Sequence, residues 1–351
     1  MSRPGVIAER KESVSTSGTV LSMLFQGLSL LPGIVALFAV GYAAKLISGY
    51  IHIEYILFAI AIGMVISNTV GVPAVLVPGI ETYEFWLKVG IVFLGARLAL
   101  QNVLGIGAKG LVLVVLEILL SIAVAKYLAN LFGLSRKLGD LIGIGVGICG
   151  VSAIIGATGA IRAEEEDATY AIATILIFGA VMVFLYPLIG DLLGLSDQFF
   201  GYWAGLSIDN TAETVATGFA YSQKAGEIAT ITKLTRNALM GFVILIYALV
   251  YARQGLTAEV SNKGAFLWER FPKFLIGFLV FSLLATLGVF SDSEVSTFKH
   301  LSKWVFMLAF AGVGFKAQLS RMKAGLKPFL VGLGVESAVA VATFVLVALV
   351  L

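Results

Sequence analysis

The fold class predicted for this chain is an all-α, polytopic membrane protein, on three observations. Mean hydropathy is +0.99, with 59% hydrophobic and only 13% charged residues among 351, so most of the surface is not made for water. Apolar runs of about 20 residues, enough to cross a hydrocarbon core of about 30 Å, recur along the whole chain. Short polar or Gly/Pro turns separate them and leave no stretch for a soluble domain.

Taken in order, residues 1–32 read as a polar amino-terminal tail, with 19–31 expected to lie in the interface as an amphipathic helix ended by Pro32 and Gly33. The opening segment "MSRPGVIAERKESVSTSG" is too long and polar for the basic region of a cleaved signal, so none is expected. Residues 33–351 form a single transmembrane domain. Its spans are expected at 33–49, 52–69, 84–102, 109–132, 139–161, 168–194, 199–221, 228–253, 271–290, 300–319 and 327–351, about eleven in all, with "VGVPAVLVPGI" (70–80) as an irregular connection.

Charge sets an orientation. With the amino terminus in the cytoplasm, the loops holding Lys126, Arg136 and Lys137, then Arg253, Lys263, Arg270 and Lys273, then Arg321, Lys323 and Lys327, fall inside, while the loop at Lys224 dissents. A net charge of +3 spread over loops excludes a nucleic-acid surface. The single cysteine, Cys149, excludes an internal disulfide, and His52 and His300 are isolated, so no metal site or cofactor is expected. No catalytic constellation appears, and "GVGICG" inside a span is no dinucleotide loop, so an enzyme is not expected.

An inverted repeat is predicted by laying residues 95–117 on 314–336 without a gap. Gly95 then matches Gly314, Arg97 matches Lys316, Leu100 matches Leu319 and Glu117 matches Glu336. A displacement of seven spans is odd, so the matched spans run antiparallel, as in secondary transporters. Nothing follows the last span to match the glycine-rich fifth. Arg97 and Lys316 lie near span ends, where snorkelling to the interface explains them.

Chemistry concentrates in two spans. "GIGVGICGVSAIIGATGAI" (143–161) carries Gly143, Gly145, Gly147, Gly150, Gly156 and Gly159, each costing about 1 kcal/mol in a helix relative to Ala. One reading is close packing through small residues. The other is a helix interrupted at Gly147, Ile148, Cys149 and Gly150, whose second half offers an anion the amides at Val151 and Ser152 and the Ser152 hydroxyl. In "GYWAGLSIDNTAETVATG" (201–218), Asp209, Glu213 and Thr217 recur at helical spacing, with Asn210, Thr211 and Thr214 beside them. Lys233, Arg236 and Asn237 share a face of the next span, where the two cations either balance those acids or touch an anionic substrate. Glu117 and Glu336, deep in their spans, read either as ion-coupling carboxyls, with Asp209 and Glu213, or as neutral acids bonded to a neighbouring helix. "IRAEEEDATYAIA" (161–173) reads as a solvated acidic turn opening a helix.

On "GICGVSAI" (147–154), "AEEEDATYAIATILIFG" (163–179), "GYWAGLSIDNTAETVATG" and "KLTRN" (233–237), the chain resembles the YeiH-like, UPF0324 family of bacterial membrane proteins, the sulfate exporter family. That family is similar to the bile acid, arsenite and riboflavin transporter superfamily, with inverted repeats and unwound crossing helices. The resemblance implies export of small oxyanions or sulfonates. Where family members carry His-Asp-Thr followed by Gln, this chain has Asp209, Asn210, Thr211 and Glu213, exchanging a histidine for a carboxylate.

The expected function is therefore a secondary transporter, of exporter type, for a small anion such as sulfate, sulfite or an organosulfonate, with a proton or sodium as coupling ion. The substrate site is expected at Gly147, Cys149, Gly150, Val151, Ser152, Asn210, Thr211, Thr214, Lys233 and Arg236. The alternative is a cation/proton antiporter built around Asp209, Glu213, Glu117 or Glu336. The expected setting is a bacterial inner membrane, and a homo-oligomer is compatible with it.

Overall fold

A computed structural model describes residues 16–51, 54–317 and 326–351, with side chains from residue 27 in the first stretch and from 327 in the last. His52 lies outside these residues, as do Arg321, Lys323 and the Leu319 match of the repeat. In chain order the helices are α1 (Thr16–Ile51), α2 (Tyr55–Thr69), α3 (Val77–Ile80), α4 (Tyr83–Gly95), α5 (Leu100–Leu131), α6 (Arg136–Gly147), α7 (Val151–Ile161) and α8 (Glu165–Leu192). Then follow α9 (Asp197–Ser207), α10 (Thr211–Tyr221), α11 (Gln223–Ala238), α12 (Met240–Arg253), α13 (Lys263–Arg270), α14 (Phe274–Thr286), α15 (Asp292–Lys316) and α16 (Leu326–Val350). Among the described residues there is no strand.

Two bundles emerge from the packing. One joins α1 to α4 with α14 and α15; the other joins α5 to α12 with α16; few contacts link them, chiefly α10 on α2 and α15, and α14 on α5. The first bundle is knit by glycine crossings. A Cβ on Gly33 would stand 2.6 Å from Gly79 Cα, and one on Gly63 would stand 3.0 Å from Gly314 Cα, so glycine lets backbones meet.

This packing explains a correction. The expected break at Pro32 and Gly33 does not occur: α1 runs continuously through Pro32, because Gly33 serves contact with α3 and the rest of the helix outweighs one lost backbone bond. Further along, α13 is a short surface helix with no buried residue, which the hydropathy pattern did not anticipate.

The larger correction concerns 139–161 and 199–221, expected as crossings. The Lys137 Nζ donates to the Arg162 carbonyl at 2.7 Å and the Ser135 hydroxyl to Asp167 at 3.1 Å, so α6 and α7 enter and leave on one face. The Ser222 hydroxyl donates to Asp197 at 2.7 Å and the Tyr221 hydroxyl to the Leu195 carbonyl at 2.5 Å, so α9 and α10 enter and leave together as well. Both are re-entrant hairpins. The start of α6 meets the end of α12 where Arg136 donates to Gln254 at 3.0 Å, and the start of α5 meets the end of α14 where the Leu100 amide donates to Thr286 at 2.7 Å. Tracing the helices from these joints places the first hairpin on the face where α1 begins and the second on the opposite face.

The helix directions also test the repeat. α5 and α16 run antiparallel and pack on each other, with Glu117 and Glu336 both buried. A second re-entrant hairpin, α9 and α10, precedes α16 in the chain and enters from the opposite face. Arg97 and Lys316, near the ends of their helices, pair with Glu227 and Glu81, each at 3.2 Å. The acidic turn opens α8 as expected, with Glu165, Glu166 and Asp167 in its first turn.

Candidate functional site

Each hairpin tip ends one short helix and begins another, so each leaves a set of carbonyls and a set of amides without helical partners. In the first tip, Ile148, Cys149 and Gly150 join α6 to α7, and Gly150 has φ 67 and ψ −123, a conformation open to glycine. Gly143 and Gly147 do different work: a Cβ there would stand 3.0 Å from the Ala125 Cβ and 2.4 Å from the Ser121 hydroxyl, respectively. Close packing and an interrupted helix are therefore both present in the glycine-rich stretch, at different glycines.

In the second tip, Ile208, Asp209 and Asn210 join α9 to α10. Asn210 caps α10 by accepting from the Ala212 amide at 3.0 Å. The Thr214 hydroxyl turns back to the Ile208 carbonyl at 3.0 Å and the Asn210 carbonyl at 2.9 Å. Asp209 is thus part of the turn and not, as its spacing suggested, on a helical face with Glu213 and Thr217. The tips touch: a Cβ on Gly150 would lie 3.5 Å from the Asn210 nitrogen.

The carbonyl ends are taken by the two cations of α11. Lys233 donates to the Ile148 and Ile208 carbonyls, both at 2.8 Å. Arg236 donates to Gly147 at 2.9 Å, Leu206 at 2.5 Å and Ile208 at 3.1 Å, and also to the Val146 carbonyl. It forms a salt bridge with Glu117 at 3.2 Å and lies 3.7 Å from Asp209. Both cations are fully buried, and the negative ends of two helices with a carboxylate replace their hydration. Lys233 is thus engaged by carbonyls and Arg236 by carbonyls and the Glu117 and Asp209 carboxyls, and neither lines the cavity.

The amide ends face elsewhere. A cavity of ≈ 570 Å³ opens between the two bundles, on the face where α1 begins. Its deep wall carries Cys149, Val151, Ser152, Asn210, Thr211 and Asn237; its rim carries Glu84, Lys88, Arg270 and Lys273. Gly150 gives α7 no side-chain cap, so the Val151 and Ser152 amides and the Ser152 hydroxyl remain for a ligand. The Asn237 Nδ2 donates to the Thr211 hydroxyl at 2.9 Å, which leaves that hydroxyl's proton free to point inward. Asn237 Oδ1 is buried without a protein partner. Cys149 borders the same wall, with its sulfur 3.4 Å from that of Met240.

The structure thus divides the expected residues. Cys149, Val151, Ser152, Asn210 and Thr211 line the cavity, whereas Gly147, Gly150, Thr214, Lys233 and Arg236 build the tips behind it. Asp209, Glu117 and Glu336 gather around Arg236, with Asp209 and Glu336 in carboxyl–carboxyl hydrogen-bond contact. Glu213 occupies the space left by Gly179. Sequence reasoning noted Asn237 only as a neighbour of the cations and read Arg270 and Lys273 only as topology signals. Their place at the cavity follows from the turn between α13 and α14, which no local pattern announced.

Comparison with known proteins follows this geometry. A family model described as conserved hypothetical protein 698 matches residues 32–332. A UPF0324 membrane protein of Nitratidesulfovibrio vulgaris is 36% identical over 320 residues, covering 87% of this chain and 89% of the relative. One from Clostridium tetani is 30% identical over 299 residues, with 82% and 87% covered. The UPF0324 inner membrane protein YeiH of Escherichia coli is 30% identical over 332 residues, with 90% and 88% covered.

Proposed function

Because the chain belongs to the UPF0324 membrane protein family, we propose that it works as a secondary transporter for a small anion such as sulfate, sulfite or an organosulfonate. One observation carries this reading: the hairpin tips are electrostatically sorted. Lys233 and Arg236 occupy the carbonyl ends, while the amide ends at Val151, Ser152 and Thr211 face the cavity. Each helix start carries roughly half a positive charge, and the two converge on one cavity wall. An oxyanion seated there exchanges water for backbone amides and the Ser152 and Thr211 hydroxyls.

The two-bundle architecture supports transport rather than simple binding, because a cavity between loosely joined bodies can change the face to which it opens. Lys88, Arg270 and Lys273 at the rim outnumber Glu84 and Glu269, which favours anion entry. The cavity face also collects Arg136, Lys137, Arg253, Lys263 and Lys327, and the positive-inside rule favours a cytoplasmic position for that face, where α1 begins. Loading from the cytoplasm fits an exporter. Against an antiporter that takes a hydrated cation such as sodium from this cavity stands the position of Glu117, Asp209, Glu213 and Glu336, none of which lines it.

Reconstitution into proteoliposomes tests this reading. Saturable uptake of radiolabelled sulfate, sulfite or taurine is the expected result, reduced in Ser152→Ala. Sodium movement driven by a pH gradient, with none of these anions carried, contradicts it.

A further inference from the structure

The proposed anion site uses the cavity wall and leaves unexplained a cluster of acids behind the second tip. Asp209 and Glu336 are both buried, on the hairpin and on α16, and their carboxyl groups are in hydrogen-bond contact. Two carboxylates cannot bond each other, since both are acceptors; a proton on one is required. One oxygen of each acid, Glu336 Oε1 and Asp209 Oδ1, accepts no hydrogen bond from any other group of the protein, so no donor competes there with a proton. Arg236 stands 3.7 Å from Asp209 Oδ1, close enough to favour a negative charge on Asp209 when the proton leaves.

Other groups facing the pair are few. α11 contributes Arg236 and Lys233, and α5 contributes Glu117, which is bound to Arg236 at 3.2 Å. α10 contributes Glu213, and α8 and α9 contribute the neutral Tyr186 and Ser207. Asp209 also immediately precedes Asn210, the cap of the helix that offers its amides to the cavity.

We propose that the Asp209–Glu336 carboxyl pair is a proton-binding site coupled to the anion site through the tip of α9 and α10. This deepens the transport reading above and rests on it. An anion seated at the α10 amino terminus places negative charge next to Asp209 and favours the protonated pair; by linkage, a bound proton tightens anion binding equally. The proton stays on a carboxyl oxygen throughout, and no bond other than O–H forms or breaks. The transported species is then an anion together with a proton.

The test uses full-length protein in detergent and sulfate, which keeps its charge between about pH 5 and pH 9. Sulfate affinity is measured by calorimetry across that range, and proton uptake on binding is read with a pH indicator in weak buffer. Sulfate binding is expected to weaken by up to about tenfold per pH unit over part of the range, with proton uptake in the same interval. Both effects are expected to vanish in Glu336→Gln and in Asp209→Asn, while sulfate still binds, and to persist in Glu213→Gln. Sulfate binding to wild type with neither pH dependence nor proton uptake overturns the proposal and leaves the anion site standing. Uptake that survives in either folded variant also overturns it. Absence of binding by sulfate, sulfite and taurine alike defeats the transport reading, and with it this one. The wild-type measurement decides even where one variant fails to fold, and either variant suffices to place the proton.

Discussion

Gly150 and Asn210, sixty positions apart, meet at the centre of the molecule, where a Cβ on the first would lie 3.5 Å from the backbone nitrogen of the second. The contact joins hairpins that enter from opposite faces, and it brings the starts of α7 and α10 onto one wall. Gly150 is fixed there by its backbone, with φ at 67. A side chain would also stand 3.1 Å from Ile175 Cγ2. Gly150→Ala is therefore expected to cost about 1–3 kcal/mol, the range for strained backbone, and to lower the thermal midpoint measured in detergent. An unchanged midpoint would show that the tip turns without glycine.

Arg236 binds carbonyls of both tips from one planar head, a geometry that lysine cannot copy. Arg236→Lys is expected to keep the charge yet abolish sulfate flux, because only some of the carbonyls retain a donor. Arg236→Gln leaves Glu117 and the carbonyls without a cation and is expected to cost about 3–5 kcal/mol of stability. Folding yield and thermal unfolding of both variants check this order, and an Arg236→Lys protein with full flux removes the fork from the account.

Asn237 tests the cavity wall from α11, through its bond to the Thr211 hydroxyl. Asn237→Leu removes the bond to the Thr211 hydroxyl and the free Oδ1 while keeping the number and branching of the side-chain heavy atoms. Sulfate affinity is expected to fall about tenfold, about 1.4 kcal/mol, with little change in stability, since one exchanged group was unsatisfied. Equal losses of affinity and stability would make Asn237 a packing residue.

Outside the membrane, Glu294 closes a capping box with Ser291 at the start of α15. Hydrogen bonds from the Ser291 backbone and hydroxyl hold its carboxyl below the ordinary glutamate value. Because the folded value is depressed, the cap contributes above the unfolded glutamate value and is lost as pH falls through the folded one. Amide exchange at residues 292–296, corrected for its intrinsic pH dependence, is expected to speed up over that acidic window. Glu294→Gln, which can still fill the box, is expected to show no such transition.

Composition and hydropathy sufficed for the all-helical membrane fold, and the ungapped match of Glu117 with Glu336 pointed to antiparallel helices that the structure contains. The interruption at Cys149 was legible because glycine is costly in a helix and a cluster of glycines needs a cause. Re-entry was not legible. An apolar stretch of hairpin length has the same composition whether it crosses or turns back, and the difference rests on distant partners such as Lys137 with the Arg162 carbonyl. The same limit applied to Asp209, whose spacing to Glu213 suits a helix that the tip interrupts, and to Pro32, where packing of Gly33 on Gly79 overrides the local signal.

Cys149 gives the most direct test, because its thiol lies on the wall formed by the two helix starts. The measurement is the rate at which a membrane-permeant maleimide labels Cys149 in proteoliposomes, with and without sulfate, sulfite or taurine. The account predicts that a transported anion slows labelling in proportion to its occupancy and that the labelled protein no longer carries it. Labelling at one rate whatever anion is present, with flux undiminished afterwards, would contradict it.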